Sequence, residues 1–501
     1  MDGIKGRLAK GAAWITAARI ITNLLGLVST LVLARLLTPG DFGIVALGWT
    51  VLAILNSVTE ISIGAVLIHH PNPTKDHLDT AWTLSAMRAA AVAAMLMVVA
   101  IPAESAFAEP RLPPVLAALA ISTLLGGLGS PRRILLTRDL VFWQQFLIEV
   151  SQKLVGLIVA AVFAFTFRSY WALVAGTLAS DLTGLVISYV VAPFRPKPGL
   201  RHWREMFGYS IWLTLAQAIN TLNWRFDHLL IGAFLGKTPL GYYSVGDNLA
   251  AMPTREAIAP LTSVLFPAFA HVKNRDDGGL EKVYQSSQAL VTMIALPVGV
   301  GMALIAEPLV RLTMTDKWLP AVIVIQALSA VFAVQTLGSL AQPLAMATGD
   351  TRLLFKRDVQ AFILRVPSVV VGLWLGGLAG VAIARAIAGV IGIFFNLQVV
   401  RQLTGIGYLA QLRPNLRSLT SAGVMVAAVL GSRSVLPSGV ETSELALSLS
   451  SQIAIGAIAF IGAQLLLWNL MRRPEGPETE LIALFKRLLV GRGARLLGRW
   501  A

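Results

Sequence analysis

The chain contains no cysteine among its 501 residues and only six histidines. The absence of cysteine excludes disulfides, cysteine-ligated metal sites and a cysteine nucleophile, although it identifies no cellular compartment. Charged residues are also scarce, at 13% of the chain, whereas hydrophobic residues make up 56% and the mean hydropathy is +0.71. Soluble proteins of this length do not need such a composition. Helices that face lipid do, because their outer surfaces have no water to contact.

Long apolar runs fill nearly the whole sequence. A helix that rises about 1.5 Å per residue needs about 20 apolar residues to cross the hydrocarbon core of a bilayer. The connections between the runs are short and contain no inserted soluble domain. We therefore predict an all-α integral membrane protein with about 14 transmembrane helices. The predicted spans are 12–37, 42–68, 81–101, 114–134, 146–166, 170–192, 209–235, 243–270, 284–306, 320–346, 357–375, 379–400, 417–436 and 446–470.

Basic residues give the predicted orientation. They outnumber acidic residues by 41 to 26, for a net charge of +15, which in a soluble protein could indicate nucleic-acid binding. Here they lie mostly in short loops between apolar runs, so we predict no nucleic-acid partner. With the N-terminus in the cytoplasm, 27 lysine and arginine residues fall on the cytoplasmic side and 7 on the opposite side. This bias predicts a multi-pass protein with both termini in the cytoplasm.

The sequence also repeats itself at an offset of 198 to 200 residues. An even number of spans separates the copies, so both have the same orientation in the membrane. This predicts two six-helix lobes, residues 1–192 and 209–400, with a site near the membrane midplane between them. The basic, proline-rich segment 193–208 is the predicted cytoplasmic linker. The matched positions are Trp14 with Trp212, Thr38-Pro39 with Thr238-Pro239, Phe42-Gly43 with Tyr242-Tyr243, and Glu109-Pro110 with Glu307-Pro308.

Two segments fall outside the repeat. Residues 401–470 contain predicted spans thirteen and fourteen. The tail, 471–501, combines apolar residues at helical spacing with several basic ones, which predicts a basic amphipathic helix on the anionic cytoplasmic leaflet. A frayed basic tail that only enforces topology is the alternative.

Polar residues interrupt several predicted spans. A charge at bilayer depth costs at least about 2.5–3.5 kcal/mol, so such residues are expected to face the protein interior or a wet cavity. In span one, Arg19, Asn23, Gly26 and Thr30 recur at helical spacing and share one face. Spans one, two, seven and eight occupy equivalent positions in the two lobes and are the predicted walls of a central cleft. The predicted substrate-binding residues are Arg19, Asn23, Arg88, Asn220, Asn223, Asn248 and Arg255.

The cationic members of this set suit a phosphate ligand. Arginine stays charged and binds phosphate oxygens through a planar fork, so Arg19, Arg88 and Arg255 are predicted to hold a pyrophosphate. Glu60 and Asp227 are candidates to balance these charges or to bind a coupling cation. The open alternative is that each arginine pairs with an internal acid, or extends to an interface, and only fixes helix packing.

Three local signals favour structure over chemistry. Glu149 and Lys153 are four residues apart in span five, which predicts a neutralised ion pair. The segment 236–238 resembles the end of a phosphate-binding loop, but Ile231 stands where such a loop needs glycine. His69 and its neighbour have no further ligands nearby in the sequence, so no metal site is predicted. We also predict no catalytic residue and no cofactor.

Two stretches resemble a known family. The segment Leu24–Gly43 (LLGLVSTLVLARLLTPGDFG) and the segment Asp227–Pro253 (DHLLIGAFLGKTPLGYYSVGDNLAAMP), with Phe266-Pro267 beyond it, resemble polysaccharide-transport family flippases of the multidrug/oligosaccharidyl-lipid/polysaccharide exporter superfamily. The resemblance covers essentially the whole chain. Its motifs lie mostly at span ends and specify the family rather than the sugar.

The resemblance implies a transporter of the bacterial inner membrane that flips undecaprenyl-pyrophosphate-linked oligosaccharide from the cytoplasmic to the periplasmic leaflet. The implied partners are this lipid-linked substrate, membrane lipids, polysaccharide assembly proteins and a coupling ion. Alternatives in the same superfamily are a peptidoglycan lipid-precursor flippase and a drug/cation antiporter, although internal arginines disfavour organic cations. Alternatives of another class are a membrane glycosyltransferase, polymerase or ligase, or a scaffold of polysaccharide assembly. The short external loops and the lack of an Asp-x-Asp motif disfavour an enzyme.

Overall fold

The computed structural model describes residues 2–60, 63–70, 72–139, 141–207, 211–273, 279–434, 441–473 and 476–479. Within these ranges every regular element is helical, which confirms the all-α class. The α-helices are α1 (Asp2–Leu36), α2 (Pro39–Val58), α3 (Ile63–His69), α4 (Lys75–Phe107), α5 (Leu112–Gly127), α6 (Arg133–Arg138), α7 (Trp143–Phe167), α8 (Trp171–Val191), α9 (Trp203–Phe207), α10 (Ile211–Phe234), α11 (Lys237–Lys273), α12 (Gly279–Met314), α13 (Val322–Gln335), α14 (Ala341–Thr348), α15 (Thr351–Thr404), α16 (Tyr408–Leu412), α17 (Leu416–Ser432) and α18 (Thr442–Leu470).

Each predicted span overlaps a helix. Among the described residues, nine helical stretches are both long and apolar enough to cross a membrane. The chain is therefore a multi-pass membrane protein. The full count of about fourteen spans stays a prediction, in part because α5, with 16 residues, and α17, with 17, are short for a perpendicular crossing. The predicted amphipathic tail lies almost entirely outside the described residues.

Helix α15 contains a sharp break between the predicted spans 357–375 and 379–400. Gly376 and Gly377 leave the helical region, and Gly377 has a φ of +54°, which glycine adopts without the steric cost that other residues incur. The chain doubles back there so closely that a Cβ atom on Gly380 would overlap the backbone of Gly372. Glycines at this spacing thus allow two helices to pack backbone to backbone.

The predicted span 42–68 is also interrupted. Helix α2 ends at Val58 and α3 begins at Ile63. The N-terminus of α2 is well defined by a capping box. The amide of Asp41 donates to Thr38 Oγ1 at 3.3 Å, and the amide of Thr38 donates to Asp41 Oδ2 at 2.9 Å. These bonds satisfy amides that the first turn of a helix leaves without partners.

The chain divides into two compact units. The first contains residues 1–245 and 313–318, and the second contains 246–312 and 319–501. The boundary lies beyond the predicted linker 193–208, because α10 packs against α2 and so belongs to the first unit. The lobes that the repeat predicts, 1–192 and 209–400, stay a prediction.

The predicted linker is hydrogen-bonded to side chains of α4. Its backbone amides donate to α4 side chains: Lys197 to Asp79 Oδ1 at 2.8 Å, and Gly199 to Thr83 Oγ1 at 3.0 Å. Arg201 also forms an ion pair of 3.0 Å with Asp76. The linker is therefore an integral part of the first unit.

At one end of the first unit, a buried tryptophan contacts residues from both copies of the sequence repeat. Trp318 is fully buried, and its Nε1 donates to the carbonyl of Ala34 at 2.8 Å. Phe42 and Tyr242, which are repeat partners, both pack edge-on against its ring, at centroid distances of 5.2 and 6.0 Å. In the predicted topology this end is periplasmic. The shared offset in the sequence thus corresponds to equivalent packing positions around one side chain.

Candidate functional site

The polar face of α1 leaves two groups available to a ligand. Arg19 is exposed and Asn23 is half-buried, and neither makes a hydrogen bond or ion pair with another described residue. Thr30 differs, because its hydroxyl donates to the carbonyl of Gly26 at 3.0 Å within the same helix. Of the predicted cationic residues, Arg19 is therefore the one whose guanidinium is entirely uncommitted within the described part of the chain.

Arg88 has a different environment. Its guanidinium, on α4, donates to the carbonyls of Thr59 at 2.9 Å and Asn56 at 3.1 Å, which lie at the C-terminal end of α2. It also forms a 3.1 Å ion pair with Glu60. A cation placed on the free carbonyls at a helix C-terminus satisfies them and complements the helix dipole. The structure thus gives Arg88 and Glu60 a capping arrangement, whereas their predicted roles toward substrate or ion stay predictions.

Helix α10 carries a buried carboxylate. Asp227 is fully buried and accepts a 2.7 Å hydrogen bond from the hydroxyl of Tyr243, at the start of α11. His228 packs edge-on against the same tyrosine at 5.3 Å. Asn223, one turn before Asp227, is buried as well, and Asn220 is half-buried. The predicted polar face of span seven is therefore inside the first unit, with its carboxylate held by a tyrosine.

The second unit holds two predicted cleft residues on α11. Arg255 is 62% exposed, and its Nε lies 3.3 Å from Glu256 Oε1. Its two terminal nitrogens have no partner among the described residues. Asn248 is exposed two turns earlier. The arrangement leaves a guanidinium edge available, beside a carboxylate that offsets its charge.

The sequence interpretation missed an intramembrane ion pair in the second unit. Arg385 Nη1 lies 2.9 Å from Asp247 Oδ1, and the Arg385 side chain is only 4% exposed. The guanidinium also stacks over the ring of Phe332 at 5.5 Å. Asp247 falls inside predicted span eight, and an acid at that depth was the available signal. Its partner, far away in the chain, could not be read from local spacing.

The predicted pair of Glu149 and Lys153 is not formed. Glu149 instead accepts a 2.8 Å hydrogen bond from Gln145, one turn earlier in α7. Lys153 makes no hydrogen bond or ion pair with any described residue. Its side chain points at α1, where a Cβ built on Gly26 would lie 3.3 Å from Lys153 Cε and 3.6 Å from Nζ. A lysine in the middle of a membrane helix therefore borders the polar face of α1.

A histidine cluster joins the α3–α4 corner to the linker. His77 stacks on His202 at 3.7 Å and lies 4.3 Å from His70. The Nδ1 atoms of His70 and His77 accept bonds of 3.2 Å from the amides of Asn72 and Thr74. In a neutral ring this places the proton on Nε2, which in His77 faces Glu205 at 3.4 Å. Ligand atoms of His70, His77 and Glu205 also lie within 4.8 Å of one another, so the structure brings together potential metal ligands that the sequence does not predict.

Comparison with known proteins identifies the family. A model of the family described as "Polysaccharide biosynthesis protein" matches residues 32–323, more than half of the chain. The chain belongs to this family. The resemblance found in the sequence is thereby confirmed, and the matched region runs from the C-terminal end of α1 into α13.

Individual relatives agree with the family match. The chain is 24% identical over 419 residues to "Lipopolysaccharide biosynthesis protein WzxC" of Escherichia coli, covering 83% of each chain. It is 22% identical over 487 residues to "Teichuronic acid biosynthesis protein TuaB" of Bacillus subtilis, covering 96% of this chain and 99% of the relative. These relatives span nearly the same length as this protein.

Solved structures share the fold. A structure described as "Lipid II flippase MurJ, inward closed conformation" superposes with a TM-score of 0.67 at 13% identity, covering 91% of this chain and 99% of the other. An inward-facing multidrug resistance MATE family transporter of the MOP superfamily gives a TM-score of 0.62 at 14% identity, covering 77% and 95%. At such low identity the similarity establishes architecture alone.

Proposed function

We propose that this protein flips an undecaprenyl-pyrophosphate-linked oligosaccharide from the cytoplasmic to the periplasmic leaflet of a bacterial inner membrane. The observation that carries the proposal is the uncommitted guanidinium of Arg19 on a membrane-embedded polar face, in a chain of the polysaccharide biosynthesis family. An anionic pyrophosphate supplies the countercharge that the described residues around Arg19 do not. The chain then acts as a transporter, without catalytic residues or a cofactor.

The surroundings of each residue suggest which part of the substrate it contacts. In the first unit, Arg19 and Asn23 are the proposed contacts to the pyrophosphate, and in the second unit Arg255 is a proposed phosphate contact. The side-chain amides of Asn220 and Asn248 offer hydrogen bonds to sugar hydroxyls, whereas the buried Asn223 would have to exchange its present contacts to do so. This assignment is a proposal about contacts in the loaded protein, in which the lipid tail stays in the bilayer and the headgroup crosses by alternating access.

Acidic residues provide the proposed ion coupling. Asp227 is the stronger candidate, because it is a fully buried carboxylate and binding a proton or a cation there would change the charge of the core. Glu60 forms an ion pair with Arg88 and serves charge balance.

Both termini are proposed to lie in the cytoplasm on the basis of the lysine and arginine bias. Polysaccharide assembly proteins are the proposed further partners.

The membrane potential favours this direction of transport. A headgroup that crosses with a charge of about −2 gains roughly 4–5 kcal/mol from a potential of about 100 mV, negative inside. We expect an imposed potassium-diffusion potential to accelerate export in vesicles. Transport that is insensitive to the potential would show that the charge is compensated by a co-transported cation.

The test is removal of the protein from its host, followed by mass spectrometry of lipid-linked glycans and measurement of their periplasmic accessibility. We expect complete undecaprenyl-linked units to accumulate on the cytoplasmic side, and their mass identifies the cargo. Units that reach the periplasm but are not polymerised would contradict the proposal and indicate a polymerase or scaffold. Accumulation of a peptidoglycan precursor instead would indicate the alternative lipid substrate.

A further inference from the structure

A lysine in the centre of α7 has no counterion in the described part of the chain. Lys153 lies ten residues from the cytoplasmic start of a 25-residue helix, at about 15 Å of helix rise, which is close to the membrane midplane. Within the described residues it has neither a hydrogen bond nor an ion pair. The acid one turn earlier is engaged by Gln145. Intramembrane lysines normally pair with a protein group or face a wet cavity.

The side chain of Lys153 extends toward α1. Its Cε and Nζ approach α1 at Gly26, so closely that a Cβ on this glycine would contact both. Gly26 belongs to the same helical face as Arg19 and Asn23. Lys153 and its neighbour Leu154 are both exposed, but Leu154 is apolar and points about 100° away on the helix. The lysine is thus directed at the polar face of α1, while its neighbour is suited to lipid.

The depth of Lys153 relative to Arg19 also matters. Gly26 is two helical turns beyond Arg19, which is about 10 Å farther from the cytoplasmic end of α1. The two cations therefore lie in sequence along the direction in which an anion would cross the membrane. Each could neutralise the same phosphate at a different depth.

We propose that Lys153 is a substrate-binding residue, which holds the phosphate of the lipid carrier at the membrane midplane after Arg19 has engaged it nearer the cytoplasm. The inference rests on the proposed function and adds a second cationic position to it. An ammonium group suits this task because it binds phosphate as a point charge with rotatable donors and releases it without breaking a bidentate fork.

The lack of native cysteine allows a direct test. The variant Lys153→Cys removes the charge and introduces a single thiol, and Leu154→Cys is the matched control at nearly the same depth. Methanethiosulfonate reagents react with thiolates in water. 2-Aminoethyl methanethiosulfonate restores an ammonium at position 153, whereas methyl methanethiosulfonate adds only a neutral group. Mass spectrometry gives the extent of modification of each variant.

The binding probe is undecaprenyl pyrophosphate, with undecaprenol as its uncharged counterpart, added to the purified full-length protein in nanodiscs. We expect Lys153→Cys to lose about tenfold or more of its affinity for the pyrophosphate, since hydrogen bonds to a charged group have that worth. The aminoethyl adduct should regain most of it and the methyl adduct should not. Affinity for undecaprenol should stay the same throughout. Leu154→Cys should bind both lipids as the wild type does and resist the charged reagent.

The outcomes separate the two proposals. Wild-type protein that binds neither lipid overturns the proposed function. Wild-type protein that binds undecaprenyl pyrophosphate, together with a Lys153→Cys variant of equal affinity, overturns the role of Lys153 and leaves the function intact. A thiol at 153 that resists the aqueous reagent as Leu154→Cys does also overturns it, because the side chain then faces lipid. If Lys153→Cys does not fold, Lys153→Met replaces it in the same binding measurement, with Lys153→Arg expected to retain affinity.

Discussion

Two cations of the first unit and one cation of the second have different surroundings. In the first unit, Arg19 and Lys153 have no acidic partner among the described residues. In the second unit, Arg385 is paired with Asp247 and covered by Phe332. Removing both charges of a buried pair is often tolerated, whereas removing one leaves a costly uncompensated charge. The comparison indicates that the paired cation contributes to helix packing, whereas the two cations without a described acidic partner are the proposed contacts for an anionic ligand.

The largest effect is expected from breaking the pair in the second unit. Asp247→Asn removes the carboxylate paired with the buried guanidinium of Arg385, and breaking a buried pair by removing one partner typically costs about 3–5 kcal/mol of folding stability. We expect a clearly lower midpoint of thermal unfolding in detergent, measured by size-exclusion chromatography after heating.

The double variant Asp247→Asn/Arg385→Gln controls for the loss of charge as such. It should recover at least half of the lost stability, because neither charge is then left alone. Additive losses in the double variant would show that the two side chains are not energetically coupled.

A smaller but functionally sharper effect is expected in the first unit. Arg19→Ala removes a proposed substrate contact that forms no hydrogen bond or ion pair with a described residue. Transport should therefore fall about 10- to 100-fold while stability is retained, because hydrogen bonds to charged groups contribute about 1.5–3 kcal/mol. The measurement is the initial rate at which lipid-linked glycan becomes accessible on the far side of vesicles.

Arg19→Lys should be intermediate, because an ammonium keeps the charge but loses the planar fork. Full transport by Arg19→Ala at normal membrane levels would remove Arg19 from the proposed site.

The contrast between the units marks the limit of what the sequence predicts. The spans and the break at Gly376–Gly377 follow from hydropathy and from local backbone chemistry, so they could be read along the chain. The pair of Asp247 and Arg385 depends on which helices become neighbours, and no local period encodes this. Even at i, i+4 spacing the prediction failed for Glu149, because Gln145 on the preceding turn provides a competing donor.

Arg88 tests whether a cation in the first unit can also be structural. Arg88→Met removes the donors to the carbonyls at the end of α2 and the partner of Glu60. We expect a stability loss of about 1–3 kcal/mol, as for other hydrogen bonds to charged groups. Transport per folded molecule should fall less than in Arg19→Ala. A larger fall in transport, with unchanged thermal unfolding, would instead make Arg88 a substrate ligand as the sequence predicts.

The smallest effect is expected at Arg255, which combines an ion pair with available terminal nitrogens. Its Nε faces Glu256 and its terminal nitrogens are available, and the side chain is 62% exposed. Exposed pairs contribute about 0–1 kcal/mol, so Arg255→Ala should leave the unfolding midpoint nearly unchanged. Transport should fall less than in Arg19→Ala, because the neighbouring carboxylate already offsets part of the charge that a phosphate would meet. Glu256→Gln removes that offset and should strengthen the binding of undecaprenyl pyrophosphate. Weaker binding in Glu256→Gln would mean that the carboxylate orients the guanidinium for substrate, and Arg255 would then depend on its pair as Arg385 does.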